Sequence, residues 1–198
     1  MTPISWSSRS ARHRGVQINF TLLGIRLLVD RPIEDMTNRA LAPEEIFGTF
    51  ARELAGRLYD AGSWDARFDY LDAALTARLH HSQGVPAGVR YAWHRLMASS
   101  GRSRIRSIVQ EVGWSHRYFI RQFKQEIGVA PKVFARMLRF GQVVRVIRAG
   151  EVTSLADAAL RSGYYDQSHL SRDAREFAGT TPGALLKSLL PDGGGFRE

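Results

Sequence analysis

The chain has 198 residues, of which 44% are hydrophobic, and a formal net charge of +9 at pH 7. That hydrophobic fraction is sufficient for a packed core and argues against a wholly disordered chain. Because there is no cysteine, the sequence excludes disulfide frameworks, thiol nucleophiles and cysteine-based zinc sites, and a reducing cytoplasm is the expected compartment. No apolar run reaches the roughly 20 residues that a membrane span requires, so no membrane association is expected.

A strand is predicted first, because apolar and polar residues alternate with a period of two over residues 16–22. A helix is then expected from Pro43, which is followed by two glutamates that suit the positive end of a helix dipole. Gly62 is expected to end this helix, and Ser63 to cap the next one.

The net positive charge lies in the C-terminal part of the chain. Residues 1–82 contain ten Arg and ten Asp or Glu, whereas residues 83–198 contain eighteen Lys or Arg and nine Asp or Glu. A domain with excess cations attracts polyanions through phosphate contacts and the release of counterions. The alternative is a basic domain that is merely soluble, and charge alone does not separate the two.

Residues 80–86, His-His-Ser-Gln-Gly-Val-Pro, combine turn formers with this change in charge, so we place the domain boundary between residues 82 and 83. Every strong signal after the boundary is helical. Glycine stops, N-cap residues and helix-opening prolines divide this part into seven predicted helices, at about 89–97, 105–112, 116–127, 131–149, 154–162, 167–178 and 182–189.

Two of these helices are copies of each other. An offset of 51 residues aligns the N-cap Ser115 with the N-cap Asp166. The same offset pairs a core residue, two basic residues, a glycine stop and a proline start: Phe119 with Leu170, Arg121 with Arg172, Lys124 with Arg175, Gly128 with Gly179, and Pro131 with Pro182. Each copy follows a short helix and a glycine turn, which is the pattern of a helix-turn-helix. One copy alone is a weak signal, but two copies joined by one helix are a specific one.

The predicted spacing of the two copies suits duplex DNA. Their connecting helix, residues 131–149, is roughly 28 Å long at about 1.5 Å per residue. Successive major-groove faces of B-DNA lie about 34 Å apart. One chain is therefore expected to present both second helices to neighbouring turns of the same DNA face without dimerising.

These motifs resemble the AraC/XylS family of bacterial transcription regulators. The resemblance is carried by residues 105–124, IRSIVQEVGWSHRYFIRQFK, with GVAP at 128–131, and by residues 163–172, GYYDQSHLSR, with EFAGTTP at 176–182. The resemblance covers about residues 87–190. It implies a seven-helix domain whose two reading helices enter the major groove, double-stranded DNA and RNA polymerase as partners, no cofactor, and association with the bacterial nucleoid.

The predicted fold class is therefore mainly α: a seven-helix double helix-turn-helix domain, preceded by a small α+β segment of one or two strands and two helices. Helix-turn-helix 1 is predicted at about 105–128, the linker helix at 131–149 and helix-turn-helix 2 at about 154–179. Residues 1–82 resemble, more weakly, the end of a sensor domain found in some family members. They are interpreted as the remnant of a sensor or dimerisation domain, through which a homodimer is expected. Both a start upstream of Met1 and a naturally short form stay open.

The resemblance also indicates which side chains contact DNA. On the first reading helix the expected contacts are His116, Arg117, Ile120, Arg121 and Lys124, with Gln122 as a less certain addition. Arginine holds guanine through two hydrogen bonds and an apolar side chain contacts the thymine methyl group, whereas Lys124 is expected at a phosphate. On the second reading helix the matching set is Gln167, Ser168, His169, Arg172 and Arg175. The alternative for each cation is a solvated charge.

Three aromatic residues in the two turns, Trp114, Tyr164 and Tyr165, are expected to pack rather than to contact DNA. Ala174 departs from the repeat, because its counterpart Phe123 is aromatic and the family usually has an aromatic residue there too. The second copy is therefore predicted to be the less stable one.

The sequence offers little support for other chemistry. His80 and His81 point apart on a helix and lack a third ligand, so no metal site is expected. No nucleophile elbow, P-loop or dinucleotide-binding motif is present, and an enzyme is not expected. The alternative to a DNA-binding regulator is a protein-interaction or dimerisation fragment in which Ala174 impairs DNA binding.

Overall fold

The structure is a computed structural model that describes residues 16–29, 31–37, 39–82, 84–152 and 154–189. Within these ranges the chain is helical and contains no strand. It forms two compact units. One consists of the described residues as far as Pro86 together with Gln122–Val129, and the other of Ala87–Arg121 together with the described residues from Ala130 onward.

The strand predicted at residues 16–22 is wrong. Residues 16–21 have no regular structure, and the first helix, α1, spans Leu22–Leu28. Thr21 caps this helix, because its Oγ1 accepts a hydrogen bond from the Gly24 backbone N–H at 2.9 Å. A lone strand would leave its backbone N–H and C=O groups without partners, whereas a helix satisfies them locally. The described part of this segment therefore contains helices and no strand.

The helix predicted from Pro43 to Gly62 is interrupted. Gly48 has a φ of 61° and a ψ of −134°, a conformation that residues with a side chain rarely adopt, and it separates two helices. A short 3₁₀ helix, Ile33–Met36, precedes them, and the later elements of this region are α2 (Pro43–Phe47), α3 (Thr49–Asp60) and α4 (Trp64–His80). Ser63 caps α4 as predicted, since its Oγ accepts from the Ala66 N–H at 3.1 Å.

The described residues from 84 to 189 form seven helices, in agreement with the seven predicted. They are α5 (Ala87–Ala98), α6 (Ile105–Val112), α7 (His116–Ile127), α8 (Pro131–Arg148), α9 (Leu155–Arg161), α10 (Gln167–Ala178) and α11 (Pro182–Leu189). The helix predicted as the first reading helix is α7, the predicted linker helix is α8 and the predicted second reading helix is α10. Gly113 and Gly179 end their helices in the left-handed conformation, with φ of 73° and 64°.

The core of the second unit is built on α8. Trp93 of α5 stacks on Phe134 of α8 with ring centroids 4.5 Å apart. Further along α8 a second cluster of buried side chains connects it with α9 and α10: Phe140, Val143, Val146, Ile147, Val152, Ala158, Ala159, Tyr164, Leu170 and Ala174. Ala174 is fully buried there, at the inner position that the repeat assigns to it. The lower stability of the second copy remains a prediction.

Candidate nucleic-acid interface

The first reading helix is anchored by its start and its inner face. The Ser115 Oγ accepts from the Tyr118 N–H at 3.3 Å, which satisfies one of the free donors at the helix start. On the inner face Phe119 and Phe123 are both fully buried. Together these features fix which side of α7 faces solvent.

The outward side of α7 carries the predicted contact residues. Arg117, Ile120, Arg121 and Lys124 follow the spacing i, i+3, i+4, i+7, which places them on one face of a helix. The three cations are exposed and Ile120 is half-buried, while His116 is exposed at the first turn. The arrangement is a basic face with one apolar side chain in its middle.

Tyr118 belongs to this face, although the sequence reasoning did not single it out. Its ring is 41% exposed, and the Arg121 guanidinium lies 5.4 Å from the ring centroid. A cation over a ring face is attracted by the negative potential of the π system, so Tyr118 orients Arg121. The spacing i, i+3 between the two residues was the available signal.

Lys124 already has a partner in the first unit. Its Nζ forms an ion pair with the Glu34 carboxylate of the 3₁₀ helix, and both side chains are about half exposed. Lys124, which is predicted to contact a DNA phosphate, is therefore already paired with a carboxylate, and this carboxylate occupies the position expected for the phosphate. Nothing in the local sequence around Lys124 indicates this pairing.

Two further contacts join residues 26–37 to the end of α7. Arg26 Nε and Glu126 Oε2 are 2.6 Å apart, with side chains only 13% and 8% exposed, in the geometry of an ion pair rather than of a hydrogen bond. Thr37 donates through its hydroxyl to the Gly128 carbonyl at 3.1 Å. Gly128 has a φ of 85°, and a Cβ there would lie 2.8 Å from Ile33, so both backbone conformation and space require glycine.

The second reading helix begins with a stronger cap. Asp166 Oδ1 accepts from the His169 backbone N–H at 2.8 Å and lies 2.9 Å from the Nδ1 of the same histidine. These bonds, the backbone one first, lower the pKa of Asp166 below its usual value. His169 is thus attached to the cap of its own helix, although its ring remains exposed.

The outward side of α10 repeats that of α7. Its predicted contacts are all exposed: Gln167, Ser168, His169, Arg172 and Arg175. Ser171, which the sequence reasoning missed, lies at the position equivalent to Ile120 and returns its hydroxyl to the Gln167 carbonyl at 2.9 Å. The offset of 51 residues was the signal that would have found it.

The turn aromatics behave differently from one another. Trp114 packs edge-on against Tyr118 with centroids 5.0 Å apart, and Tyr164 is 6% exposed, so both pack as expected. Tyr165 is 88% exposed, so it is not part of the core, although its ring meets that of His169 edge-on with centroids 6.4 Å apart. The turn before α10 is one residue longer than the turn before α7, and the extra side chain points to solvent.

A buried polar network fixes α10 against α8. Asp173 is 4% exposed and accepts from the Tyr164 hydroxyl at 2.9 Å and from Arg136 at 2.6 Å. Arg136 also donates to Glu176 at 2.5 Å, and the bonds to Glu176 and Asp173 raise the pKa of Arg136. Burial, with the bond to Asp173 next, raises the pKa of Tyr164 and keeps its hydroxyl protonated as a donor. The orientation of the second reading helix depends on this network.

The described residues contain no group of three potential metal ligands, and none of their helices is both long and apolar enough to cross a membrane. His80 and His81 occupy the end of α4 and its C-cap, and both are exposed. Nothing in the described part of the chain gathers other ligands around them.

Comparison with known proteins identifies the region that holds both reading helices. Residues 108–188 match the profile of a family described as a helix-turn-helix domain, of the kind found in AraC-type regulators. That family binds DNA and is not a family of enzymes. No curated protein and no solved structure matches the chain.

Proposed function

We propose a specific mode of DNA reading for this chain, whose residues 108–188 match a helix-turn-helix domain of the kind found in AraC-type transcription regulators. The first and second reading helices insert into successive major grooves of one duplex. Arg117, Ile120 and Arg121 read bases in one groove. In the next groove Gln167 reads bases, and Arg172 contacts a base or a phosphate.

One observation carries this proposal: the two helices present the same outward face. Cations lie at equivalent exposed positions, Arg121 with Arg172 and Lys124 with Arg175. The connecting α8 has 18 residues, which corresponds to about 27 Å at the helical rise. This length is of the same order as the spacing of about 34 Å between successive major grooves. His116, Ser168 and His169 border the two faces and complete the proposed contact set.

The test is a change of base preference in the full chain. Duplexes are first selected from a random pool, and the preferred site is then varied one base pair at a time. Arg121→Ala is expected to relax the preference at one base step by about 1–3 kcal/mol, and Gln167→Ala at another step roughly one helical turn away. Arg90→Ala removes an exposed cation of α5 and serves as the matched control.

The pattern of the losses decides the outcome. If Arg121→Ala weakens binding equally on every duplex, direct base reading by the first helix is wrong. If both variants relax the same base step, the two helices do not occupy successive grooves. A variant that no longer folds is recognised by its melting curve before any binding is measured.

Partners beyond DNA are also part of the proposal. RNA polymerase is the expected target of a bound regulator, and residues 1–82 are proposed to form a homodimer. In support of dimerisation, the first unit exposes large apolar side chains around the turn between α3 and α4, with Tyr59 at 86% and Trp64 at 43%. Sedimentation at several protein concentrations measures the oligomeric state.

An interaction fragment with impaired DNA binding is the second candidate function. The observation that favours it is the pairing of Lys124 with Glu34, which withdraws one cation from the reading face. The two functions differ in a salt titration, because a DNA reader loses affinity steeply with salt yet keeps its preference for one sequence.

A further inference from the structure

A basic cleft lies within the second unit, between the linker helix and the second reading helix. Its volume is about 470 Å³, and it is bordered by α8, by the turn before α10 and by α10 itself. Four cations, one carboxylate and an exposed tyrosine line it: Lys132, Arg136, Arg139, Arg172, Asp173 and Tyr165.

Two of the four cations already have bonding partners within the protein. Arg136 neutralises Asp173 at 2.6 Å, and Arg139 donates to the Gly101 carbonyl at 2.7 Å. Lys132 and Arg172 are exposed and have no ion-pair partner within the described part of the chain. The only carboxylate of the lining is already compensated, so the cleft keeps a net positive charge with two unpaired cations beside it.

The cleft adjoins the surface that reads DNA. Lys132, Arg136 and Arg139 follow the spacing i, i+4, i+7 along α8 and therefore share one face of that helix. Arg172 belongs both to the outward face of α10 and to the lining of the cleft. Arg172 and Lys132 therefore line the same cleft, one from each helix.

We propose that this cleft binds one phosphate of the DNA backbone, held by Lys132 and Arg172, with the Tyr165 hydroxyl as a third donor. This inference rests on the proposed function and extends the interface to the linker helix. A phosphate contact fixes the position and orientation of the protein on the duplex without carrying sequence information. The cleft therefore sets the register of α10, while the outward residues of that helix read the bases.

The experiment is a salt titration of the full chain on its selected duplex and on an unrelated duplex. Lys132→Ala is expected to weaken binding to both duplexes by the same factor and to lower the slope of log K against log salt by about 1. The base preference is expected to stay unchanged. Lys132→Arg is expected to restore the slope. Arg148→Ala, which removes an exposed cation at the far end of the same helix, is expected to leave it unaltered.

Each result separates this inference from the proposed function. If the chain binds its selected duplex specifically and Lys132→Ala leaves the slope unchanged, the cleft holds no DNA phosphate although the proposed function stands. If the variant changes the base preference, Lys132 reads sequence and the assignment is overturned. If inorganic phosphate alone raises the melting temperature of the chain, and Lys132→Ala abolishes that rise, the site serves a free anion instead. If the unaltered chain shows no sequence preference, it is the proposed function that fails.

Discussion

At the scale of single residues, Asp173 is a buried carboxylate in the second unit. A carboxylate that is only 4% exposed is stable in its ionised form only where partners compensate its lost hydration. Asp173 has two such partners, the Tyr164 hydroxyl and the Arg136 guanidinium. Glu176 binds the same guanidinium from a position that is 47% exposed, where water screens the interaction.

This difference in burial predicts a difference in stability. Asp173→Asn keeps the shape of the side chain but removes its charge, and we expect the free energy of unfolding to fall by about 2 kcal/mol, as for a buried hydrogen bond to a charged group. Glu176→Gln removes the other negative charge that pairs with Arg136, and it is expected to lower the free energy of unfolding by less than about 1 kcal/mol. Urea denaturation of both variants measures the two values. Equal losses would contradict a special role for the buried carboxylate.

Among the helices, α8 connects the two predicted reading helices, and its sequence contains one residue that weakens it. Gly141 lies in the middle of α8, is exposed, and would have no heavy atom within 4 Å of an added Cβ. Gly150, just beyond the end of the same helix, is equally unobstructed but has a φ of 66°. The two glycines therefore differ in backbone conformation and not in available space.

Alanine at these two positions is predicted to act in opposite directions. Gly141→Ala is expected to stabilise the chain by about 1 kcal/mol, because alanine loses less backbone freedom in a helix than glycine does. Gly150→Ala is expected to destabilise it, by roughly 1 kcal/mol, because its left-handed conformation is strained for residues with a side chain. Thermal unfolding of the two variants provides the measurement, and a melting temperature that moves the same way in both would refute the argument.

At the scale of the whole molecule, the sequence predicted the second unit well because its helix boundaries are local. Caps such as Ser115, glycine stops such as Gly113 and the prolines that open α8 and α11 act within a few residues of themselves. The first unit was predicted less well. A period of two over residues 16–22 favours a strand, but the described part of the chain offers no second strand for pairing, and the Thr21 cap and a local helix prevail.

One part of the candidate site could likewise be predicted from the sequence, and another part could not. The outward residues of both reading helices follow from the repeat and the helical period, which are properties of the sequence. The Glu34 partner of Lys124 does not, because the two residues are 90 positions apart and only tertiary folding brings them together. The cleft beside α8 was missed for the same reason, since its lining comes from two helices and a turn.

The pairing of Glu34 with Lys124 predicts a competition between the protein and DNA. A phosphate that reaches Lys124 must displace the Glu34 carboxylate, so Glu34→Gln is expected to tighten DNA binding by about twofold to fivefold, the usual worth of an exposed ion pair. The effect is expected to shrink at high salt. Asp35→Asn is the control, because it removes the same charge from the adjacent exposed residue, which has no ion pair within the described part of the chain. Equal tightening by both variants in a binding titration would mean that net charge alone is responsible.

The last turns of α7 have a practical consequence for anyone who wishes to prepare the DNA-binding region by itself. A recombinant fragment that begins at residue 83 retains Glu126 and Gly128 but discards Arg26, Ile33 and Thr37, which contact them. It would leave Glu126, whose side chain is 8% exposed in the intact chain, without its counter-ion, and Gly128 without the side chains that pack against it. Poor yield or aggregation of such a fragment would follow from the loss of these contacts. It would say nothing about the ability of the intact protein to bind DNA.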